Sequence, residues 1–325
     1  MQSLYRPILL KSWQILKKFK YLWPLGFLAA FLGTTSELKM FSDLTYNINS
    51  KAVLWENLKN YFLSPDLLNF VYHFNIAPLV SKLFVIIFFI FFLVIVLLFI
   101  WLAVSGQAGL INGVNEADKG SRGSLKSNFK IGSHFFAPVL GLNIIAKIFS
   151  FLILILIIIP LIIITTTSAR AETAIIFIGF FIFLPLVIII NFVTKYASAF
   201  VVLKGQGFKK AFTNGWHLFF NNWIISLELA LLLLLINILI TIIIAIITLL
   251  LISPVFVIFF FAGETFYFYP IVLIIVTLAI FLILLMFAAL WSVFQTSAWT
   301  LLFLKIDKTK QYSKIERLAT NNLNK

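Results

Sequence analysis

Two charged side chains lie inside long apolar stretches of the sequence, where an ionised group is costly and usually serves a function. They are Lys147 and Glu228, and Asn143 precedes Lys147 by one helical turn. Each charge follows a Phe-Phe pair, and we measure its depth in the membrane from that pair. At 1.5 Å per helical residue, the depths of Lys147 and Glu228 differ by about 4–5 Å. We predict that Lys147 and Glu228 pair and that Asn143 joins them. A structural ion pair, separate contacts with the inner interface, and a substrate or proton site all fit this spacing.

Two short segments combine basic residues with bulky apolar ones, and both contain Phe-x-x-Gly-x-His followed closely by Phe-Phe. Such segments are typical of helices that lie in the headgroup layer, with the basic side towards anionic lipid. The histidines have no second metal-ligating residue nearby, so we expect them to anchor the interface or to bind lipid phosphate. The predicted headgroup contacts are Lys126, Lys130, His134, Lys209, Lys210 and His217.

The sequence contains none of the usual patterns of an active site. It has no cysteine, three histidines and 11 acidic residues. We find no His-Glu-x-x-His motif, no phosphate-binding loop and no nucleophile elbow. The net charge of +14 would suit nucleic acid, but the positive residues lie between apolar runs rather than on a soluble module. We therefore expect no enzymatic activity, no cofactor and no binding of nucleic acid.

The apolar runs that carry these groups are long enough to cross a membrane. Hydrophobic residues make up 62% of the 325 residues and charged residues 11%, whereas soluble domains have about 25% charged residues. About 20 apolar residues cross the hydrocarbon core as a helix. The sequence predicts an all-α transmembrane bundle of about six helices, with five clear spans at 79–104, 137–164, 174–193, 223–252 and 271–289, and a short one at 21–33.

Lysine and arginine residues are distributed unequally between alternating loops. One set of loops carries 19 of them, including Lys195, and the opposite set carries five. This bias predicts that the first set and both termini are cytoplasmic, in a protein of the cytoplasmic membrane. The short first run follows a basic stretch and also fits a cleaved signal peptide, which would leave the next loop on the same outer side. The outer loop 34–78 is predicted to contain short amphipathic helices.

Three segments of the sequence resemble one another and predict an internal repeat. Each begins with a basic amphipathic stretch that leads into a transmembrane hairpin, at about 4–105, 121–203 and 206–304. We expect one transmembrane domain, 1–306, followed by a basic cytoplasmic tail, 307–325. Small residues four positions apart recur near the end of each hairpin, and such spacing lets helices approach closely. They are Ser105, Gly109 and Gly113; Thr194 and Ser198; and Ser292, Thr296 and Thr300. We therefore expect these stretches to continue as helix past the membrane and to pack together near the cytoplasmic face.

Several segments of the chain resemble one family of membrane proteins. They are Lys20-Tyr21-Leu22-Trp23-Pro24-Leu25-Gly26-Phe27-Leu28-Ala29-Ala30, the stretch from Ser124-Leu125-Lys126 to Gly141-Leu142, and the stretch from Ala199 to Lys204 with Gly205, Lys210, Ala211 and Phe212. Here the chain is similar to uncharacterised six-helix prokaryotic membrane proteins that are themselves similar to the membrane domain attached to some glycerophosphodiester phosphodiesterases. The resemblance implies six helices and a place in membrane or lipid biology. The phosphodiesterase activity belongs to a separate soluble barrel with metal-binding carboxylates, so we do not expect it to carry over.

Two classes of function are compatible with the sequence. The first is a non-catalytic scaffold or accessory protein whose basic helices engage anionic lipid or a partner protein, with a second copy of the chain as another partner to consider. The second is a transporter of small solutes or a lipid translocator, with Lys147 and Glu228 near its pathway. A closed bundle would favour the scaffold, and a polar cavity between helices would favour the transporter.

Overall fold

The computed structural model describes residues 4–32, 65–76, 78–121, 123–164, 169–262 and 269–307. Within these ranges every regular element is helical, which confirms the predicted all-α class. The elements are α1 (Tyr5–Lys18), the 3-10 helix Lys20–Leu22, α2 (Trp23–Ala30), α3 (Pro65–Ile76), α4 (Leu79–Asp118), α5 (Leu125–His134), α6 (Phe136–Ile164), α7 (Ala169–Lys204), α8 (Phe208–Asn221), α9 (Trp223–Ala262) and α10 (Tyr269–Ile306).

Five of the described helices, α4, α6, α7, α9 and α10, are long and apolar enough to cross a membrane. The first half of α4 turns bulky apolar side chains outward, with Phe84 74% exposed and Phe88 69% exposed. Exposure of this kind is very unfavourable in water but not in lipid. The chain is therefore a multi-pass membrane protein. The candidate spans are Leu79–Asp118, Phe136–Ile157, Phe177–Lys204, Trp223–Val257 and Ile271–Ile306.

The sixth predicted span, 21–33, is not among these five. Its described part consists mainly of α2, whose eight residues measure about 12 Å at 1.5 Å per residue. A helix of that length does not cross the hydrocarbon core by itself. Leu22 and Leu25 are fully buried, so this part of the chain packs against protein. Residue 33, most of the loop 34–78 and the tail after Asp307 lie outside the described residues, and α3 is the described helix of that loop.

Three of the long helices continue well past the predicted spans. Helix α4 runs to Asp118, α7 to Lys204 and α10 to Ile306, several turns beyond the points where the hydropathy falls. The small residues in these stretches predicted that the helices continue and pack, and the structure confirms this. Many of these residues are buried, including Ser105 and Ser198, which are fully buried.

The turns that lead from α4 to α5 and from α7 to α8 depend on glycine. Gly120, after α4, has a φ of 76°, and Gly205, after α7, has a φ of 62°. This left-handed backbone conformation is accessible to glycine at little cost and commonly ends a helix. Helix α5 is capped by Ser124, whose Oγ accepts a hydrogen bond from the Ser127 N–H at 3.2 Å. The short helices α5 and α8 therefore start within a few residues of the ends of the long ones.

The chain divides into two compact units. The first comprises Met1–Leu32, Ala103–Val139 and Lys195–Lys325, and the second comprises Gly33–Leu102 and Leu140–Thr194. This division does not follow the boundaries of the predicted repeats, and the single domain 1–306 with three repeats stays a prediction.

Each unit has its own packing. In the first unit, α10 packs along α1, α2 and α9. Its contact with α2 is close, because a Cβ built on Gly26 would lie 2.6 Å from the carbonyl oxygen of Ala289. In the second unit, Leu154, Phe183 and Val187 form a buried apolar cluster. The residues of functional interest lie mainly in the first unit.

Candidate functional site

Helix α5 is held against α4 by a buried asparagine. The Asn128 side-chain oxygen accepts a hydrogen bond from Asn112 Nδ2 at 2.8 Å. Its Nδ2 donates to Glu116 Oε2 and to the Ser124 carbonyl oxygen, both at 3.0 Å. Asn128 is fully buried, and a buried polar group left without partners costs about 1–3 kcal/mol. This satisfied amide therefore specifies where α5 lies on α4.

A glycine one turn later brings the two backbones together. A Cβ built on Gly132 would collide with the Ser105 carbonyl oxygen and would lie 2.6 Å from the Gly109 nitrogen. A Cβ on Gly113 would lie 2.5 Å from Leu22 Cδ2. These contacts confirm that the four-residue spacing of Ser105, Gly109 and Gly113 marks a close approach of helices.

The opposite side of α5 carries three of the predicted headgroup residues. Lys126, Lys130 and His134 are all exposed. Their four-residue spacing aligns them in one row along the helix. Among the described residues, no carboxylate forms an ion pair with either lysine. The row is therefore a cationic surface that is open to an external anion.

Helix α8 has the same division into a buried and an exposed side. Ala211, Gly215 and Phe219 are buried, and α8 begins directly after Gly207. Its exposed residues include the other three predicted headgroup contacts: Lys209, Lys210 and His217. All six predicted headgroup residues are thus accessible on helices whose other sides are packed.

Helix α1 is built in a related way. Its buried side includes Ile8, Ser12 and Ile15, while Lys11 and Lys17 are exposed. Lys11 Nζ lies 2.6 Å from Asp118 Oδ1 at the end of α4. An exposed ion pair of this kind contributes at most about 1 kcal/mol. Part of the positive charge on α1 is therefore already compensated, in contrast to the charge on α5.

The predicted intramembrane group is spread over two helices in different units. Asn143 and Lys147 lie on α6, in the second unit, and Glu228 lies on α9, in the first. Lys147 is exposed, and Asn143 and Glu228 are half-buried. The pairing of Lys147 with Glu228 stays a prediction.

A polar cavity that the sequence did not predict lies in the first unit, where the ends of α4, α7 and α10 meet. We call it the junction pocket. Its volume is about 90 Å³. The polar part of its lining includes Gln107 of α4, Lys195 and Ser198 of α7, and Gln295, Thr296 and Thr300 of α10. Each of the three long helices therefore contributes polar side chains to one cavity.

Lys195 is the charged residue that lines the junction pocket. Its Nζ lies 4.6 Å from the centroid of the Trp299 ring, a cation–π contact. The neighbouring Tyr196 is buried, and its hydroxyl shares a 2.7 Å hydrogen bond with Ser226 Oγ of α9. Tyr196 also contacts Trp299 edge-on, with 6.1 Å between the ring centroids. These aromatic contacts form an ordered wall on one side of the pocket.

From the sequence, Lys195 is expected in a cytoplasmic loop, because the preceding apolar run ends at Val193. The structure places Lys195 on α7, which continues without interruption to Lys204, as the spacing of the small residues predicts; the side of the membrane on which Lys195 lies stays a prediction. The sequence signal that places Lys195 on a helix is the pair of small residues Thr194 and Ser198. They flank Lys195 at helical spacing, and both are buried.

Among the residues that the structure describes, no three His, Asp or Glu side chains are grouped closely enough to hold a metal ion. Comparison with known proteins finds no matching family model, no matching curated protein and no matching solved structure.

Proposed function

We propose that this protein is a non-catalytic membrane scaffold or accessory protein that engages anionic lipid at the cytoplasmic face of the membrane. The observation that carries the proposal is the exposure of all six headgroup residues on α5 and α8, two helices whose opposite sides are buried. A helix fixed by packing on one side presents the cations of its other side to the surroundings. Each lysine near an anionic membrane surface contributes about 1 kcal/mol to binding.

Exposed aromatic residues beside these lysines favour lipid over a protein partner. On α8, Trp216 is 43% exposed and Phe220 is 45% exposed. On α1, Trp13 is half-exposed, and Lys17 Nζ lies 4.8 Å from the centroid of its ring. Tryptophan is enriched where the membrane meets water, because its ring is apolar and its N–H is polar. The combination of lysine and exposed tryptophan is therefore typical of a headgroup layer.

The proposal includes a threefold repeat with six spans, in which 21–33 is the short first span. A buried small residue occupies the eighth position of each short helix: Ser12, Gly132 and Gly215. Buried small residues also occur in the three long helices: Gly109, Ser198 and Ser297. In each long helix, the residue two positions earlier in the sequence belongs to the lining of the junction pocket. These residues are Gln107, Tyr196 and Gln295. These correspondences support the repeat, as does the resemblance to the six-helix family.

The size of the junction pocket argues against a pathway for small solutes through this junction. Its volume of about 90 Å³ has room for a few water molecules at about 30 Å³ each. Pockets for small organic ligands measure about 300–1,000 Å³. A translocation pathway through this junction would therefore require a large rearrangement of three packed helices.

The test is the lipid that the protein retains on purification. The protein would be extracted from membranes with equal amounts of phosphatidylglycerol and phosphatidylcholine, and the bound lipid measured by mass spectrometry. We expect enrichment of phosphatidylglycerol in the wild type and its loss when Lys126, Lys130, Lys209 and Lys210 are all changed to Gln.

The matched control removes the same number of positive charges from the predicted outer side: Lys39, Lys51, Lys59 and Lys82, each changed to Gln. This variant should keep the wild-type enrichment. If the first variant also keeps it, the four inner lysines serve only to orient the chain, and the proposed function is wrong. Equal loss in both variants would indicate a response to total charge and would count against the proposal in the same way.

The proposed orientation has a separate test, because the natural chain has no cysteine. A cysteine at Ser50 should react with a membrane-impermeant thiol reagent in intact cells. Cysteines at Ser124 and Ser313 should react only after the membrane is opened. Labelling of Ser313→Cys in intact cells would contradict cytoplasmic termini.

A further inference from the structure

We infer that the junction pocket is a binding site for a phosphate-type oxyanion. The proposed headgroup contacts lie on the exposed sides of α5 and α8, whereas this site lies between the ends of α4, α7 and α10. The inference therefore goes beyond the proposed function and does not depend on it.

The first argument is the charge of Lys195. Among the described residues, no carboxylate forms an ion pair with this ammonium group. Its Nζ instead faces the ring of Trp299 at 4.6 Å, which compensates a cation only partly. Removing an ammonium group from water is costly unless its charge is paired. A bound anion would supply the missing charge.

The second argument is an unsatisfied donor in the same pocket. Ser198 is fully buried, and its hydroxyl has no hydrogen-bond partner in the described part of the chain. A buried hydroxyl without a partner costs about 1–3 kcal/mol. Ser198 lines the pocket and lies on the same helix as Lys195. One bound anion would therefore accept a hydrogen bond from the Ser198 hydroxyl and also compensate the charge of Lys195.

The third argument is the chemistry of the lining. Hydroxyl groups of Thr296 and Thr300 and the amides of Gln107 and Gln295 surround the cavity, and each of these can donate a hydrogen bond. None of the lining residues is acidic. A pocket with one ammonium, several neutral donors and no carboxylate suits a ligand with several acceptor oxygens and negative charge.

The size of the pocket limits the ligand to a compact group. About 90 Å³ accommodates a single tetrahedral phosphate but not a nucleotide or a sugar. Lys195, Gln107 and Gln295 are half-buried, so the pocket opens towards the surface. The phosphate can come from free inorganic phosphate or from the monoester headgroup of a lipid such as phosphatidic acid, because both present the same group of oxygens.

The experiment measures the midpoint of thermal unfolding of the purified full chain in neutral detergent. Inorganic phosphate and water-soluble dihexanoyl phosphatidic acid would be titrated separately, with sodium chloride at matched ionic strength as the reference. A ligand that binds only the folded protein raises this midpoint with concentration. We expect at least one of the two phosphate ligands to raise it well above the chloride reference.

Two variants connect the effect to the pocket. Lys195→Gln should weaken the apparent affinity by about tenfold or more, since hydrogen bonds to charged groups contribute about 1.5–3 kcal/mol. Ser198→Ala removes only a hydroxyl from a small buried residue, keeps the fold, and should weaken binding severalfold. The variant with Lys126, Lys130, Lys209 and Lys210 changed to Gln should respond like the wild type, which separates this site from the proposed function.

The two ligands distinguish the sources of the phosphate. A response to inorganic phosphate identifies a free oxyanion as sufficient, and a response to phosphatidic acid alone identifies a lipid headgroup. The inference is overturned if neither ligand raises the midpoint above the chloride reference. It is also overturned if Lys195→Gln and Ser198→Ala respond as strongly as the wild type.

Discussion

Helices α5 and α8 carry matching exposed residues, two lysines and one histidine each, but their buried sides differ. On α5, the amide of Asn128 joins a hydrogen-bond network with α4, and Gly132 contacts the α4 backbone. On α8, the buried side is formed by Ala211, Gly215 and Phe219. Two different ways of holding a helix thus underlie one common exposed surface. Under the proposed function, the exposed residues bind lipid and the buried ones only need to fix the helix.

The largest effect should come from filling the space at Gly132. Gly132→Leu would drive a side chain into the carbonyl of Ser105 and the backbone of Gly109, and overpacking of this kind costs about 3 kcal/mol or more. We expect little folded, monodisperse protein on size-exclusion chromatography.

Gly207, at the start of α8, provides the control for this substitution. A Cβ there would meet nothing within 4 Å, and the φ of −64° is accessible to any residue. Gly207→Ala should cost no more than about 1 kcal/mol, because Gly207 caps α8 and alanine is a poorer cap. Normal folding of Gly132→Leu would mean that α5 is not held on α4 by this backbone contact.

The second effect compares one polar residue on each helix. Asn128→Leu should destabilise the protein by about 2–3 kcal/mol, because Asn112 and Glu116 lose a buried partner. Asn214→Leu on α8 removes a single 2.8 Å hydrogen bond to the nearby Gln206 and should cost no more than about 1 kcal/mol. Thermal unfolding in detergent measures both. Equal losses would remove the distinction between a polar α5 contact and an apolar α8 contact.

The positions of α5 and α8 along the chain could be predicted from the sequence, but the difference between their buried sides could not. The alternation of basic and bulky apolar residues marks both helices, and the spacing of Ser105, Gly109 and Gly113 marks a close contact. The network around Asn128 depends on Asn112 and Glu116, which reach it from another helix. No local pattern in the sequence specifies that approach.

The junction pocket escaped prediction for a similar reason. It requires three helix ends to meet, and their residues are far apart in the sequence, as with Gln107, Lys195 and Gln295. Hydropathy alone ends the span at Val193, because a charge such as that of Lys195 lowers the local hydropathy even where small neighbours allow the helix to continue. In the short run 21–33, hydropathy instead suggests more than the helix can do, since the apolar residues there form a helix too short to cross a membrane by itself.

A smaller effect is expected in the helices that follow α5 and α8. Helix α6 carries Lys147 and α9 carries Glu228, so the matched helices differ in the sign of their charge. If the two residues pair, Lys147→Leu and Glu228→Leu should each destabilise the protein more than the double change does, because only the single changes leave an unpaired charge. The coupling should be about 0.6–1.7 kcal/mol, the range found for polar contacts between membrane helices. Additive losses in thermal unfolding would mean that the residues do not interact.

The smallest effect on stability should come from the exposed lysines themselves. Lys126→Gln with Lys130→Gln on α5, and Lys209→Gln with Lys210→Gln on α8, should each change the free energy of unfolding by less than about 0.5 kcal/mol. Each pair should nevertheless reduce the retained phosphatidylglycerol by a similar amount, because each removes two headgroup contacts. A loss from only one pair would show that the two surfaces are not equivalent.

The most direct test of the central claim is photo-cross-linking of lipid from the exposed sides of α5 and α8. A photoreactive residue would replace Ser133, beside Lys130, or Thr213, one turn after Lys209. Leu152 on α6, which is 47% exposed in an apolar stretch, provides the control position. In vesicles of equal phosphatidylglycerol and phosphatidylcholine, the adducts would be identified by mass spectrometry. We predict mainly phosphatidylglycerol adducts at Ser133 and Thr213 and equal amounts of both lipids at Leu152; equal amounts at all three positions would contradict the account.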